Sequence, residues 1–412
     1  MSKPSVDHAV MRDMNLSLVL NTLHNRAPLS RADLAAVTGL NKATVTSLVR
    51  ELLAQGWIKE LGLAPSISEV GRPAINLALN PEAGYFIGGE INVDFISIII
   101  TDFNVEIVSR RYETTSRLSK QEAVLERFLF LLQEAVDQVG RSDRPLFGIG
   151  VGVPGLVDGS SGKLLFAPNL GWRNVPLGDL LSERFAVPIF VSNEANLAAL
   201  GESYFGAGRG SDWMLYVSFG VGIGGGIVAN GRLMEGATGF AGEVGHMILE
   251  RNGTLCNCGA HGCWETLAGQ YALFDRIGRA IAEGHESRLS ILTGDDMTCL
   301  TVPLIVEAAK AGDKVALKAL YDTGLWMGIG IANLLNILNP QRVIVGGPLS
   351  EAHEFFLPII RETVVRNAWQ WVQKEAEIVT AEHRADAAIV GAVAGIYQRV
   401  LNQPRRWLQP TS

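Results

Sequence analysis

Apolar residues recur at helical spacing through the first eighty positions, and from Tyr85 onward they gather in short strand-like runs. Residues 14–24 (Met-Asn-Leu-Ser-Leu-Val-Leu-Asn-Thr-Leu-His) predict a first helix. Ser30-Arg31-Ala32-Asp33 reads as a capping box, in which a hydroxyl and a carboxylate satisfy free backbone amides; the helix it opens, 31–38, stops at Gly39. Asn41 caps a third helix over 42–55, ended by Gly56. Its apolar positions Val45, Leu48, Val49, Leu52 and Leu53 make one buried face, and Lys42, Thr44, Ser47 and Arg50 lie opposite. Two short helices joined by a glycine turn, the second polar near its start, fit a helix-turn-helix whose recognition helix enters a major groove. Residues 57–61 and 74–79 then predict a hairpin flanking a wing over 62–73, which ends in Gly71-Arg72-Pro73. Arg72 at the tip is placed to enter a minor groove or hold a phosphate. Lys42, Thr44, Thr46, Ser47, Arg50 and Arg72 are the expected DNA contacts.

Beyond residue 85 the pattern is strand, strand, strand, helix: 85–92, 96–102 and 105–112 are rich in Ile, Val and Phe, and a helix follows over 120–139. Further strands are expected at 146–153, 188–191, 214–219, 227–229 and 342–345. A glycine-rich loop spans 220–226, and a helix lies over 385–401. Two α/β lobes with glycine-rich strand ends suggest the actin-like fold of hexokinases. The expected fold class is therefore α/β: an N-terminal winged helix-turn-helix followed by a two-lobed actin-like, ribonuclease H-like body. The expected division is 1–80 for the DNA reader, 81–194 with 381–402 for the first lobe, and 195–380 for the second.

Composition narrows the class. A hydrophobic content of 48% with 19% charged residues supplies buried cores and excludes a disordered chain. No apolar run reaches the roughly 18 residues that cross a bilayer, and residues 1–20 lack a secretory signal, so a cytoplasmic protein is expected. The net charge of −7 is uneven: residues 1–80 carry eight Lys/Arg against six Asp/Glu, the remainder 27 against 36. A slightly basic head on an acidic body fits a small DNA reader attached to a larger module.

Three of the four cysteines lie in Cys256-Asn257-Cys258-Gly259-Ala260-His261-Gly262-Cys263. Clustered thiols in a chain otherwise nearly free of them predict a metal centre. Three thiolates and one imidazole would satisfy a tetrahedral, structural zinc. His246 is the nearer fourth ligand and His261 the alternative. Gly259 and Gly262 would let the short chain wrap back on the ion.

Glu243-Val244-Gly245-His246 followed by Cys-x-Cys-Gly-x-x-Gly-Cys-x-Glu, ending at Glu265, resembles the ROK family of bacterial repressors and sugar kinases. The resemblance runs from about residue 12 to residue 400 and includes the Gly-Arg-Pro element of the wing. It implies sugar contacts from Asn193, Glu194, Glu243, His246 and Glu265, with Asn169 as a further candidate from a loop common in the family. His246 would then bind zinc through one ring nitrogen and face the sugar with the other.

The kinase branch fits poorly. ROK kinases place an Asp-x-Gly-Gly-Thr turn after the first strand, where this chain reads Glu90-Ile91-Asn92-Val93-Asp94. They carry Asn-Asp before a helix, with the Asp as base, where this chain has Asn193-Glu194. Glu is one methylene longer, about 1.5 Å in reach, and a misplacement of about 1 Å can cost about a hundredfold in rate. No catalytic residue is therefore expected. The departures look most like the xylose repressors of the family, with glucose- and N-acetylglucosamine-responsive repressors as competitors. The expectation is a sugar-responsive repressor that binds operator DNA as a homodimer or dimer of dimers and is released by D-xylose. An ATP-dependent sugar kinase and a repressor controlled by a protein partner are the alternatives.

Overall fold

The computed structural model describes residues 8–63, 75–115, 120–294 and 296–408. They fall into two compact units: one comprises the chain up to Val151 with Leu180–Phe190 and the residues from Val393 on, the other Gly152–Asp179 with Val191–Ala392. No helix among the described residues is long and apolar enough to cross a membrane.

The first unit opens with three helices, α1 (His8–Arg26), α2 (Arg31–Thr38) and α3 (Lys42–Ala54). The capping box forms as its residues require: the Asp33 amide donates to Ser30 Oγ at 3.2 Å, and the Ser30 amide donates to Asp33 Oδ2 at 2.9 Å. Gly39 ends α2 in a left-handed conformation (φ 72°), and Asn41 Oδ1 accepts from the Thr44 amide at 2.8 Å to start α3. Leu16, Val19, Leu20 and Leu23 of α1 bury against Leu34, Val45, Leu48, Val49 and Leu52. Strands β1 (Ile58–Leu63) and β2 (Ile75–Leu79) pair antiparallel, Ile58 opposite Leu79, and the two residues Leu29–Ser30 add to the other edge of β2. Helix α1 is longer than its apolar core suggests, because its extra turns carry polar Arg12, Asp13 and Arg26 and leave Val10 and Met11 exposed. Most of the expected wing, with Arg72, lies outside the described residues.

The body of the first unit is a five-stranded sheet made by β3 (Tyr85–Ile91), β4 (Phe95–Thr101), β5 (Ile107–Thr114), β6 (Leu146–Val153) and β7 (Ile189–Asn193), in the order β7-β6-β3-β4-β5. Helix α4 (Gln121–Gly140) covers one face through Val124, Leu125, Phe128, Leu131, Leu132 and Ala135.

The second unit begins its main run with α5 (Glu194–Phe205) and contains β8 (Trp213–Phe219), β9 (Ile223–Ala229), β10 (Arg232–Leu233), the long helix α6 (Lys314–Leu338), β11 (Arg342–Gly346) and β12 (Glu377–Thr380). Its sheet runs β10-β9-β8-β11-β12, with β8 antiparallel to β9 and parallel to β11. Counted within each sheet, both have the strand order 3-2-1-4-5, a duplicated plan that agrees with an actin-like body. The last helix, α7 (Ala387–Asn402), starts in the second unit and finishes in the first.

One expectation fails here. Residues 220–226 are not all loop, since Gly224, Gly225 and Gly226 lie inside β9, paired with Ser218, Val217 and Tyr216. The glycines are there for close packing. A Cβ on Gly224 would stand 2.8 Å from Ala195 Cβ, and one on Gly226 would stand 2.5 Å from Ala199 Cβ, so α5 lies directly on the strand.

Candidate metal centre and effector site

A short irregular hairpin carries the cysteines. Isolated bridges join Ile248 to Cys263 and Leu255 to His261, and the Cys256 amide donates to Ala260 O at 2.8 Å. Gly262 sits at φ +71° with Glu250 O only 1.6 Å from where a Cβ would be, so no other residue fits the crossing. Cys256 and Cys263 are buried and Cys258 is exposed. The ligand atoms of His246, Cys256, Cys258 and Cys263 all lie within 4.8 Å of one another. Cys258 Sγ is 3.6 Å from Cys263 Sγ, and Cys256 Sγ is 3.7 Å from His246 Nδ1. Tetrahedral zinc distances imply edges of about 3.8 Å between two sulfurs and about 3.5 Å between sulfur and nitrogen. The cluster therefore has the donor set and spacing to hold a metal ion. His261 turns away: its Nδ1 is 3.1 Å from Gly253 O.

Between the last cysteine and Glu265 stands Trp264, fully buried. Its Nε1 donates to Trp326 O at 2.8 Å, and its ring meets Phe219 edge-on at 5.3 Å. Gly330 of α6 leaves room for this ring, since a Cβ there would lie 2.1 Å from it. Trp264 thus nails the loop to the core of the second unit. Sequence reasoning missed this anchor, because the ring's partners Phe219, Trp326 and Gly330 lie far from it in the chain.

Several polar groups adjoin the cluster. His246 Nε2 is 3.9 Å from Glu243 Oε2, so the ring's two nitrogens point to a carboxylate and to the cysteines. Glu265 Oε1 accepts from Cys256 Sγ at 2.8 Å, and its other oxygen, with Asn169 Nδ2, lies beside Gly222. Asn257 Nδ2 donates to Asn169 Oδ1 at 3.4 Å. Burial raises the Glu243 carboxyl above the usual range, His246 pulls it back, and Glu265 adds to the rise.

Asn193 and Glu194 come from the start of α5, which lies along β9; the Val244–His246 turn packs on the same strand. Asn193 serves as the N-cap: its Oδ1 accepts from the Ala195 and Asn196 amides at 2.8 and 3.3 Å, and its Nδ2 donates to Gly155 O at 2.8 Å. One amide hydrogen is left for a ligand. Burial pushes the Glu194 carboxyl up to about 7.

In the Glu90–Asp94 turn and the turn after β8, some backbone amides bond to their own chain. In the Glu90–Asp94 segment, the Asn92 amide donates to Phe95 O at 2.8 Å and the Val93 amide to Asn92 Oδ1 at 2.7 Å. After β8, the Gly220 amide donates to Gly222 O at 2.9 Å, and Gly220 O accepts from Gln270. The exposed side of α3 presents Lys42, Thr46, Ser47 and Arg50, with Thr44 half-buried.

Residues 86–399 match the ROK family and residues 17–62 the MarR family. The chain is similar to the xylose repressor of Caldicellulosiruptor bescii, 35% identical over 401 residues, covering 97% of this chain and 99% of that one. Among solved structures it is similar to a ROK family transcriptional regulator, a homologue of the E. coli MLC protein, at a TM-score of 0.81 and 27% identity, covering 95% and 97%. It is also similar to a ROK family glucokinase from Streptomyces griseus bound to glucose and AMPPNP, at a TM-score of 0.68 and 32% identity, covering 75% of this chain and 98% of that one. The fold, the cysteine–histidine cluster and a family match over most of its length agree: the chain belongs to the ROK family.

Proposed function

We propose that this protein is a sugar-responsive transcriptional repressor that binds operator DNA as a homodimer and is released by D-xylose. What carries the reading is the union, in one chain, of a helix-turn-helix with an exposed polar face and a ROK body similar end to end to a xylose repressor. Lys42, Thr44, Thr46, Ser47 and Arg50 are the proposed DNA contacts, with Arg72 in the wing. Asn169, Asn193, Glu194, Glu243, His246 and Glu265 are the proposed sugar contacts: convergent amides and carboxylates suit a polyol. Zinc is the proposed occupant of His246, Cys256, Cys258 and Cys263. Four protein ligands leave it no open position, so it would supply shape, orienting His246 toward the sugar.

One observation speaks for the kinase branch. Glu194 stands where ROK kinases carry their base, and a carboxyl near 7 suits general-base work. Phosphoryl transfer also needs amides free to hold phosphates, and the Asn92, Val93 and Gly220 amides are already engaged. The proposed protein is accordingly a binder of sugar and no enzyme.

The test is fluorescence anisotropy of the full-length protein on DNA from upstream of its own gene, with and without millimolar sugar. Release by D-xylose, and not by glucose or N-acetylglucosamine, is the expected outcome. DNA binding indifferent to every sugar would overturn sugar release and direct attention to a protein partner. Sugar-dependent ADP release from ATP would restore the kinase.

A further inference from the structure

The winged helix is not hung on a bare linker. Asn80 closes it, its amide donating to Trp57 O at 2.9 Å and its Nδ2 to Gly56 O at 2.8 Å. The Trp57 ring is buried edge-on against Phe103 and Phe147 of the first sheet's surroundings, at 5.5 and 5.4 Å. Those two rings pack with Phe86, and Phe86 and Phe103 both meet Tyr397 of α7, at 5.5 and 5.7 Å. Tyr397 in turn reaches α1: its hydroxyl is 3.2 Å from His24 Nδ1. Further along, Asn21 Nδ2 donates to Asn402 Oδ1 at 3.3 Å, and the Arg405 amide donates to Asp13 Oδ1 at 3.1 Å. Residues 13, 21 and 24 share one face of α1, so α7 and the turn after it grip that helix along its length.

The other end of α7 is gripped within the second unit. Gly391 lies against α5 so closely that a Cβ would stand 1.8 Å from Leu197 O. Glu202, at the far end of α5 from Glu194, is fully buried and accepts from the Glu382 and His383 amides at 3.0 and 2.8 Å, just before α7 begins. One helix therefore touches the element that starts with Glu194 and the first helix of the DNA reader.

We propose that Tyr397, with His24 and Trp57, are positioning residues that pass effector occupancy from α5 through α7 to the winged helix. The inference rests on the sugar-responsive reading above. A reader clamped by rings and by three polar contacts cannot swing alone; a shift of α7 must move it. Coupling between two ligands is reciprocal in binding free energy, so DNA must also act back on α7.

The experiment compares full-length wild type with Tyr397→Ala, Tyr397→Phe and the surface pair Asp13→Ala/Asn21→Ala. For each, operator affinity is measured with and without saturating D-xylose, and xylose affinity by calorimetry. Coupling ratios are commonly about 5- to 150-fold. In Tyr397→Ala the ratio should fall to within about twofold of unity, while the two separate affinities change little. Tyr397→Phe keeps the ring and should restore most of the ratio. An intact ratio in Tyr397→Ala overturns the proposal. If that variant does not fold, the surface pair decides, a lowered ratio supporting the proposal and an unchanged one overturning it. If wild-type DNA binding ignores every sugar, the sugar-release reading fails separately. Amide exchange then decides: operator-induced protection over 393–402 in wild type supports the coupling, and its absence there overturns it.

Discussion

The winged helix and the cysteine loop hold small segments in single shapes by opposite means. The first carries its own apolar core, from Leu16 to Leu52, and its helix ends are closed by Ser30, Asp33, Gly39 and Asn41. The second has isolated bridges, two glycines at positive φ, and one deep anchor, Trp264. Burial can define the first without help. The second brings four donor atoms together between His246 and Cys263, and an ion would be its missing core.

The sharpest way to break this contrast is to remove the thiols. Cys256→Ser with Cys263→Ser should abolish zinc content by mass spectrometry and weaken xylose binding by about a hundredfold, because His246 would lose the ion that fixes its ring. Sugar-free operator affinity should stay within about threefold, because the reader owes nothing to the loop. Equal damage to both would mean the two regions are one folding unit.

Gly330→Ala attacks the anchor and leaves every ligand in place. A Cβ 2.1 Å from the Trp264 ring must displace it, at about 1–3 kcal/mol for overpacking. Thermal unfolding should register the loss, and zinc affinity should fall with it.

Glu194 offers a titration. Its folded value, about 7, lies above the ordinary 4.5, so burial takes nothing from stability below about 4.5, subtracts from it as pH rises from there to about 7, and adds no further loss above. A sugar hydroxyl donating to the carboxylate prefers the ionised form. Xylose affinity should therefore rise about tenfold from pH 6 to 8 and then level off. Glu194→Gln should bind weakly with no such slope; a slope that survives would assign the titration elsewhere. The smallest change is Ser30→Ala, about 1 kcal/mol from a lost helix cap, visible in the melting of the reader and not in zinc content.

The same contrast governs what could be read from the sequence. Caps, glycine stops and helical periodicity are local, so α2 and α3 were legible nearly to the residue, as were β3, β4 and β6. The cysteine cluster was legible because its spacing is short and His246 is close in sequence. Gly224–Gly226 were misjudged as loop because a glycine run looks alike whether it turns a chain or admits a neighbouring helix; only the nearness of Ala195 and Ala199 tells them apart. Trp264 against Gly330, and Tyr397 against His24, were invisible for a plainer reason. Each pair is joined by tertiary packing across long stretches of chain, and no local pattern records it.

The grip of α7 on α1 also sets an order of events during synthesis. The DNA reader leaves the ribosome well before α7, yet its seat includes Tyr397 and Asn402, made some three hundred and seventy residues later. A nascent chain can fold α1, α2 and α3 early by local burial, but it cannot fix their setting until α7 has been translated. The reader is built early and aimed late.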